Sequence, residues 1–314
     1  MRKVGFRVAA FDHSGNVHQP KVALMTLDLT RPSCQQILLE MLNSVPPYVI
    51  HMGLPCGTCS RARDRRLPGR LHAEGRCPPL REAARPFGFP FLQGKDAEKV
   101  DKANILHRLA VQILHYAYVH SRHVSIENPT RSWIWTILTT LVREHEDRGF
   151  VAWFSNLERV QFHMCMHGGS RNKDTRLLAT EGLYTSLAAE CDNKHVHKPW
   201  TITQASVGLQ FATAEEAEYP DVLCSRTAAC CVSAAEEQGL AVVTPFSGTK
   251  LAKHAQGRQT SAAKPLVPEF CHLEYLTKET SQDGFRLLQS PTAGGEDKCP
   301  DAQVQQETGS HDQD

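Results

Sequence analysis

The sequence has almost no surplus of charge: 35 Lys and Arg stand against 34 Asp and Glu in 314 residues, a net charge of +1. A nucleic-acid footprint spread over the whole chain is thereby excluded, and any such binding has to come from a local patch. No apolar run approaches the roughly 20 residues that a membrane-spanning helix needs. No segment repeats. No signal-peptide pattern accompanies the 11 cysteines, and their spacing is irregular. Such cysteines predict a reducing, intracellular compartment, the nucleus in a eukaryotic source, rather than a disulfide scaffold. The length is enough for one good core.

What is present centres on Val49 to Arg63. The apolar run Val49-Ile50-His51-Met52 stops at Gly53-Leu54-Pro55-Cys56-Gly57 and opens into Thr58-Cys59-Ser60-Arg61-Ala62-Arg63. A buried strand ending in such a loop places its side chains at the carboxyl edge of an α/β sheet, where ligands bind. Arg61 and Arg63 are expected to lower the pKa of Cys56 towards a reactive thiolate. The plainer alternative is a structural cysteine in a turn, and Cys59 is a rival nucleophile. Val124-Ser125-Ile126-Glu127-Asn128-Pro129 is a second β-type run ending in polar groups, with Pro129 stopping the strand.

Taken in order, Pro55-Cys56 and Glu127-Asn128-Pro129 resemble the cytosine-C5 DNA methyltransferases, closest to the compact, divergent forms of phage and mobile elements. The likeness covers about residues 4–235. It implies an α/β, Rossmann-like methyltransferase three-layer sandwich over residues 1–240, followed by a tail at 241–314. It also implies that Cys56 adds to C6 of a cytosine flipped out of DNA. Glu127 then contacts the ring N3 and exocyclic amine, with its pKa expected to be raised by the apolar run Val124–Ile126. The methyl group comes from S-adenosylmethionine. Asp12 is placed at the cofactor ribose, Asp28 at its adenine and Pro55 beside it, and Arg171 and Lys173 near the flipped base. For Asp12 and Asp28 a turn or N-cap role is the alternative. The family's first strand and its glycine-rich loop have no counterpart before Gly5, so the domain is expected to be truncated at its N-terminus, with two unpaired strand edges.

Other segments fill in the outline. Strands are expected over Gly5–Asp12, Val22–Leu27, Phe150–Phe154, Val160–Met166 and Leu177–Thr180, and helices over residues 32–44, Asn104–His120 and Ser132–His145. Trp133 and Trp135 read as core rather than as base-stacking platforms. A last helix is capped by Thr213-Ala214-Glu215-Glu216 and runs to Gln238. After Cys56, Arg61, Arg63, Arg65, Arg66, Arg70, Arg76, Arg81 and Arg85 crowd an irregular segment. These arginines either hold DNA phosphates or form a solvated loop. Cys165, Cys191, His195 and His197 have the ligand types of a tetrahedral zinc site, although neither cysteine belongs to a Cys-x-x-Cys pair; the alternative is surface histidines and a half-buried cysteine. Residues 241–314 are poor in apolar side chains and read as a disordered tail. Three functions stay open: a methyltransferase or fragment of one, a catalytically dead nucleic-acid-binding protein derived from a mobile element, and a thiol or zinc protein unconnected with DNA.

Overall fold

Proline is tolerated in the first turn of a helix, and Pro32 opens the first helix, α1 (Pro32–Ser44), just as Pro46-Pro47 follows its end. The computed structural model describes residues 1–13, 23–64, 78–200, 202–205, 208–211 and 218–240. The expectations for Arg65, Arg66, Arg70, Arg76, the Thr213–Glu216 cap and residues 241–314 lie outside them. Before α1 come a 3-10 turn at Arg2–Val4 and the short strands β1 (Phe11–Asp12) and β2 (Met25–Thr26). After it follow β3 (Val49–Gly53), α2 (Gly94–Val119), β4 (His123–Pro129), α3 (Ile134–Arg143), α4 (Arg148–Ser155), β5 (Glu158–His163) and β6 (Asp174–Ala179). The hairpin β7 (Ile202–Ala205) and β8 (Gly208–Phe211) and the helix α5 (Asp221–Glu237) complete the described elements.

The chain is α/β. β3 and β4 pair in parallel, with α2 within the crossover that such pairing requires. β6 is reversed, antiparallel to β4 on one side and to β5 on the other, giving the order β3-β4-β6-β5. β1 and β2 form a separate parallel ladder, and among the described residues no ladder joins them to β3.

Two apolar clusters cover the sheet, and alternation along the strands decides which side chain enters which. Val124 and Ile126 of β4 and Leu178 of β6 join Leu109, Ile113 and Leu114 of α2, Ile137 and Leu138 of α3, and Phe150 and Phe154 of α4. Leu177 and Ala179 turn to the other face, to Val160 and Phe162 of β5, Tyr184, and Leu223 and Cys231 of α5. Trp133 and Trp135 pack partly buried against the first cluster, as expected.

Three expectations are corrected. Residues 148–155 form a helix rather than a strand. The Asp147 carboxylate accepts the amide of Phe150 at 3.0 Å, and this N-cap starts a turn that buries Phe150 and Phe154 four residues apart. A short apolar run does not distinguish the two conformations by itself. Only Phe11–Asp12 of the expected first strand is in a ladder. Arg81 is 1% exposed and cannot reach a phosphate. Its guanidinium donates to Thr58 Oγ1, to Asn104 Oδ1 at 2.7 Å and to the carbonyls of Pro86 and Val100. It is a strut linking the Cys56 loop, the segment before α2 and α2 itself. A buried guanidinium satisfied on all sides avoids the penalty of an unpaired buried charge.

Three imidazoles, His107, His123 and His167, are pushed below the ordinary value by burial, His107 to about 3. Each is protonated more readily in the unfolded chain, so stability is lost as pH falls from about 6.5 towards these lower values. The buried phenols of Tyr184 and Tyr219 are shifted upwards and act in the opposite sense at alkaline pH. The melting temperature is expected to be highest between about pH 7 and 9 and to fall on both sides. His107→Gln, at a fully buried position, is expected to flatten the acid limb. An acid limb of unchanged steepness would show that His107 is not its source.

Candidate active site at the ends of β3 and β4

The parallel register sets Gly53 of β3 opposite Glu127 of β4. Beyond that pair the chain leaves β3 through Leu54-Pro55-Cys56, and Asn128 Nδ2 donates to the Leu54 carbonyl at 2.9 Å. One hydrogen bond thus ties the two motifs together at the same edge of the sheet. Gly53 lets Tyr219 come close, since a Cβ on it would lie 3.1 Å from the Tyr219 hydroxyl.

Glu127 is almost buried. Its Oε2 accepts from the Tyr219 hydroxyl at 3.1 Å, and Lys173 Nζ lies 3.7 Å from Oε1. Glu127 Oε1 and Asn128 Oδ1 are both buried and accept no hydrogen bond. Buried acceptors normally find donors; the two side chains alternate to opposite faces of β4, and Glu127 Oε1, on the side of Tyr219 and Lys173, marks a place where a ligand can supply an N–H group. His51 Nδ1 meets Ser125 Oγ at 2.8 Å, and its Nε2 lies 3.3 Å from the Tyr219 hydroxyl. Crowding by the surrounding protein pushes His51 down to about 4, while its solvent-open side works against that shift. Under both influences the ring is neutral at pH 7. Tyr219 is driven well above the usual phenol value by burial and by Glu127, so it remains a hydroxyl donor.

Cys56 is half-buried and free. Burial pushes its thiol up; Lys173 opposes that shift and Glu127 adds to it. The cation acting on Cys56 is therefore Lys173, not the neighbouring arginines. Arg61 pairs with Asp64 at 2.6 Å and lies over the Trp133 ring, and Arg63 donates to the carbonyls of Gly57 and Pro78. Both arginines brace the loop. Cys59, the rival, is fully buried in the core against Thr58 and His107, and no substrate can reach it there.

The remaining expected residues are distributed as follows. Pro55 is exposed in the turn before Cys56. Asp12 ends β1, and its Oδ1 accepts the His13 amide at 2.7 Å. Asp28 Oδ1 accepts from both the amide and the hydroxyl of Thr30, which lowers its pKa and satisfies it within its own turn. Arg171 is 2% exposed, donates to the Pro199 carbonyl at 3.1 Å and lies over the Trp200 ring. Lys173, two residues on, is the side chain delivered to Glu127. Cys165, Cys191, His195 and His197 come together as a group able to hold a metal ion, with all ligand atoms within 4.8 Å of one another.

Tyr219 and His51 were not singled out by the sequence. Tyr219 is 92 residues from Glu127, and its only local signal is an aromatic before the proline that starts a helix. Among the described residues, no helix is long and apolar enough to cross a membrane. Comparisons with protein-family models, with curated proteins and with solved structures found no match.

Opposite charges near one thiol allow a test with two signs. Lys173→Ala is expected to slow alkylation of Cys56 by iodoacetamide at pH 8 and move its pH profile upwards. Glu127→Gln is expected to speed it and move the profile down. Shifts of the same sign in both variants would mean that Cys56 does not sense these groups.

Proposed function

We propose that this chain binds a cytosine of DNA at the ends of β3 and β4 and attacks it with Cys56, in the manner of the cytosine-C5 methyltransferases that its motifs resemble. The observation that carries this reading is the buried Glu127 carboxylate, whose Oε1 accepts no hydrogen bond and has the Lys173 ammonium 3.7 Å away, together with a half-buried cysteine that senses both groups. A flipped cytosine presents an exocyclic amine that suits such an acceptor. The Rossmann-like methyltransferase fold belongs to the same reading. It is supported by a parallel β3–β4 pair covered by helices on both faces, with the site at the carboxyl ends of the strands.

In this mechanism the Cys56 proton passes to the Glu127 carboxylate, which later shares it with N3, and Lys173 favours the thiolate left behind. The thiolate pair forms the S–C6 bond, and the C5=C6 π pair moves into the ring, so that C5 becomes nucleophilic and N3 gains electron density. Glu127, held from one side by Tyr219 and from the other by Lys173, is the group placed to share a proton with N3. Neutral His51, between Ser125 and Tyr219, fixes the direction of the Tyr219 hydroxyl. Reversal expels the thiolate from C6.

S-adenosylmethionine is the methyl donor that the reading calls for. Asp28 Oδ1 already accepts twice from Thr30, so a contact with the adenine would fall to its other carboxylate oxygen. The chemistry argued from this chain's own side chains stops at addition to C6. A second reading, nucleic-acid binding without methyl transfer, is favoured by the separate β1–β2 ladder, which among the described residues does not join β3. Zinc, by ligand softness and coordination number, suits the two cysteines and two histidines of the second cluster.

DNA carrying 5-fluorocytosine, incubated with the purified chain and S-adenosylmethionine, separates the readings, because fluorine at C5 cannot leave as a proton does. The methyltransferase reading expects a covalent adduct that survives denaturation, is lost in Cys56→Ser and persists in Cys59→Ser. An adduct that depends on Cys59 overturns the assignment of the nucleophile. DNA retention without an adduct, together with no heat on calorimetric titration of S-adenosylmethionine, supports the second reading instead.

A further inference from the structure

The Cys165–Cys191–His195–His197 cluster is assembled for a cation in more than composition. Ligand atoms about 2.0–2.3 Å from a tetrahedral zinc lie about 3.3–3.8 Å apart. Here Cys191 Sγ is 3.3 Å from His197 Nε2 and 3.9 Å from His195 Nε2, and the two imidazole Nε2 atoms are 3.0 Å apart. At 3.0 Å the two Nε2 atoms either share one imidazole N–H or flank a cation, so at least one of them turns a lone pair into the cluster. The surroundings supply a second, independent sign. His195 turns its other nitrogen, Nδ1, to Asp192 Oδ1 at 3.3 Å, the arrangement that fixes tautomer and orientation in metal-bound histidines. The Asn193 amide donates to Cys191 Sγ at 3.3 Å, with Asn193 in the left-handed region at φ 55°. An N–H aimed at sulfur stabilises a thiolate and hence a metal ligand.

The cluster also sits at the base of the segment that carries Lys173. Cys165 lies in a 3-10 turn, Met164–His167, which ends at Gly168 with φ 90°. Gly169 is obligatory in this path, since a Cβ there would come within 2.9 Å of the Met164 carbonyl oxygen. The Met164 amide donates to the carbonyl of Lys173 at 2.8 Å, closing a tight loop whose ends are next to Cys165 and at Lys173. From the other flank, the amide of Lys198, beside His197, donates to the Ser170 carbonyl at 2.8 Å. Arg171 donates to the Pro199 carbonyl, and Trp200 Nε1 to Asn172 Oδ1 at 3.0 Å. Residues 168–173 are thus gripped between two stretches that the four ligands join.

We propose that these four residues bind one zinc ion that clamps the 164–173 and 191–200 segments together and so holds Lys173 against Glu127 and Cys56, making metal occupancy a condition of Cys56 reactivity. The metal site itself stands on its own geometry; the coupling rests on the reading of Cys56, Glu127 and Lys173 as one site. A structural ion of this kind is fully enclosed by protein ligands and contributes directly to folding of the segments it joins. Lys173 is here a positioning residue for the state of Cys56, whose charged and titratable neighbours are Lys173, Glu127, Tyr219 and Cys59.

The test uses the full chain. Metal content is measured after purification, and Co2+ is titrated into chelator-stripped protein. One ion per chain is expected, with the intense visible bands of tetrahedral cobalt and a sulfur-to-metal charge-transfer band, both lost in His197→Ala. Octahedral cobalt without a sulfur band overturns the site. Asp192→Asn keeps all four ligands and avoids the risk of misfolding; it is expected to weaken cobalt affinity by about 10–100-fold, and an unchanged affinity counts against the site. Site-resolved mass spectrometry then follows iodoacetamide alkylation of Cys56 in loaded and stripped chains of matching circular dichroism. Stripping is expected to slow Cys56 several-fold and shift its profile to higher pH in the wild type, and to change nothing in Lys173→Ala. Equal Cys56 rates in loaded and stripped wild type overturn the coupling. A chain that passes both metal tests but forms no adduct with 5-fluorocytosine DNA leaves the clamp in place and removes the cytosine chemistry.

Discussion

The site depends on the parallel register of β3 and β4. Side chains alternate along a strand, so a slip of one residue would turn Glu127 to the opposite face and bring Asn128 to the place it left. Gly53 opposite Glu127, with Asn128 bonded to the Leu54 carbonyl, fixes the register at the point where it matters. The apolar side chains hold it from within: Val124 and Ile126 are both fully buried on the face away from Glu127. Register and site are therefore one constraint. The same burial that keeps β4 in place puts a carboxylate and a carboxamide at its end, where water cannot easily satisfy them.

Charge at this edge is poised rather than optimised for stability. Two unit charges about 4 Å apart attract by about 4 kcal/mol at an effective dielectric of 20, while removing each from water costs several kcal/mol. The Lys173–Glu127 contact is thus no net source of stability. Its consequence is local, because a fixed cation beside Cys56 works against the burial that keeps the thiol protonated. Burial has the larger effect in the free chain, so Cys56 rests as a thiol. A ligand that takes up Glu127 would reduce the influence of the one neighbour that also opposes ionisation, leaving Lys173 to act alone. Reactivity of Cys56 is in this sense coupled to occupancy of the acceptor beside it.

The parts legible in the sequence were those whose signal is local. The strand before Pro55-Cys56, the strand ending Glu127-Asn128-Pro129, α1 and the part of α2 from Asn104 onwards each carry their own period and their own stop, whereas the start of α2 at Gly94 was missed. The pairing of Cys165 with Cys191, His195 and His197 was also readable from residue type. What failed had its cause at a distance. Phe150–Phe154 has the same apolar content as a strand, and the Asp147 cap decides for helix. Arg81 has the composition of a surface loop, but Thr58, Asn104 and two carbonyls from separate segments converge on it. Arg171 and Lys173 are chemically alike in sequence, but the first lies over the Trp200 ring, bonded to the Pro199 carbonyl, and the second reaches Glu127.

The position of Lys173 shows how the two clusters of reactive side chains relate. β6 is the central, reversed strand between β4 and β5. It begins at Asp174, so Lys173 sits where the loop from the Cys/His cluster becomes sheet. Asp174 secures this junction: its Oδ1 accepts from Thr130 Oγ1 at 2.7 Å, just past the Glu127-Asn128-Pro129 end of β4, and from Gln161 of β5 at 3.0 Å. A strand anchored on both neighbours cannot shift its first residues independently of Glu127. Lys173, one residue before this anchored end, is the residue through which the loop from the Cys/His cluster meets Glu127.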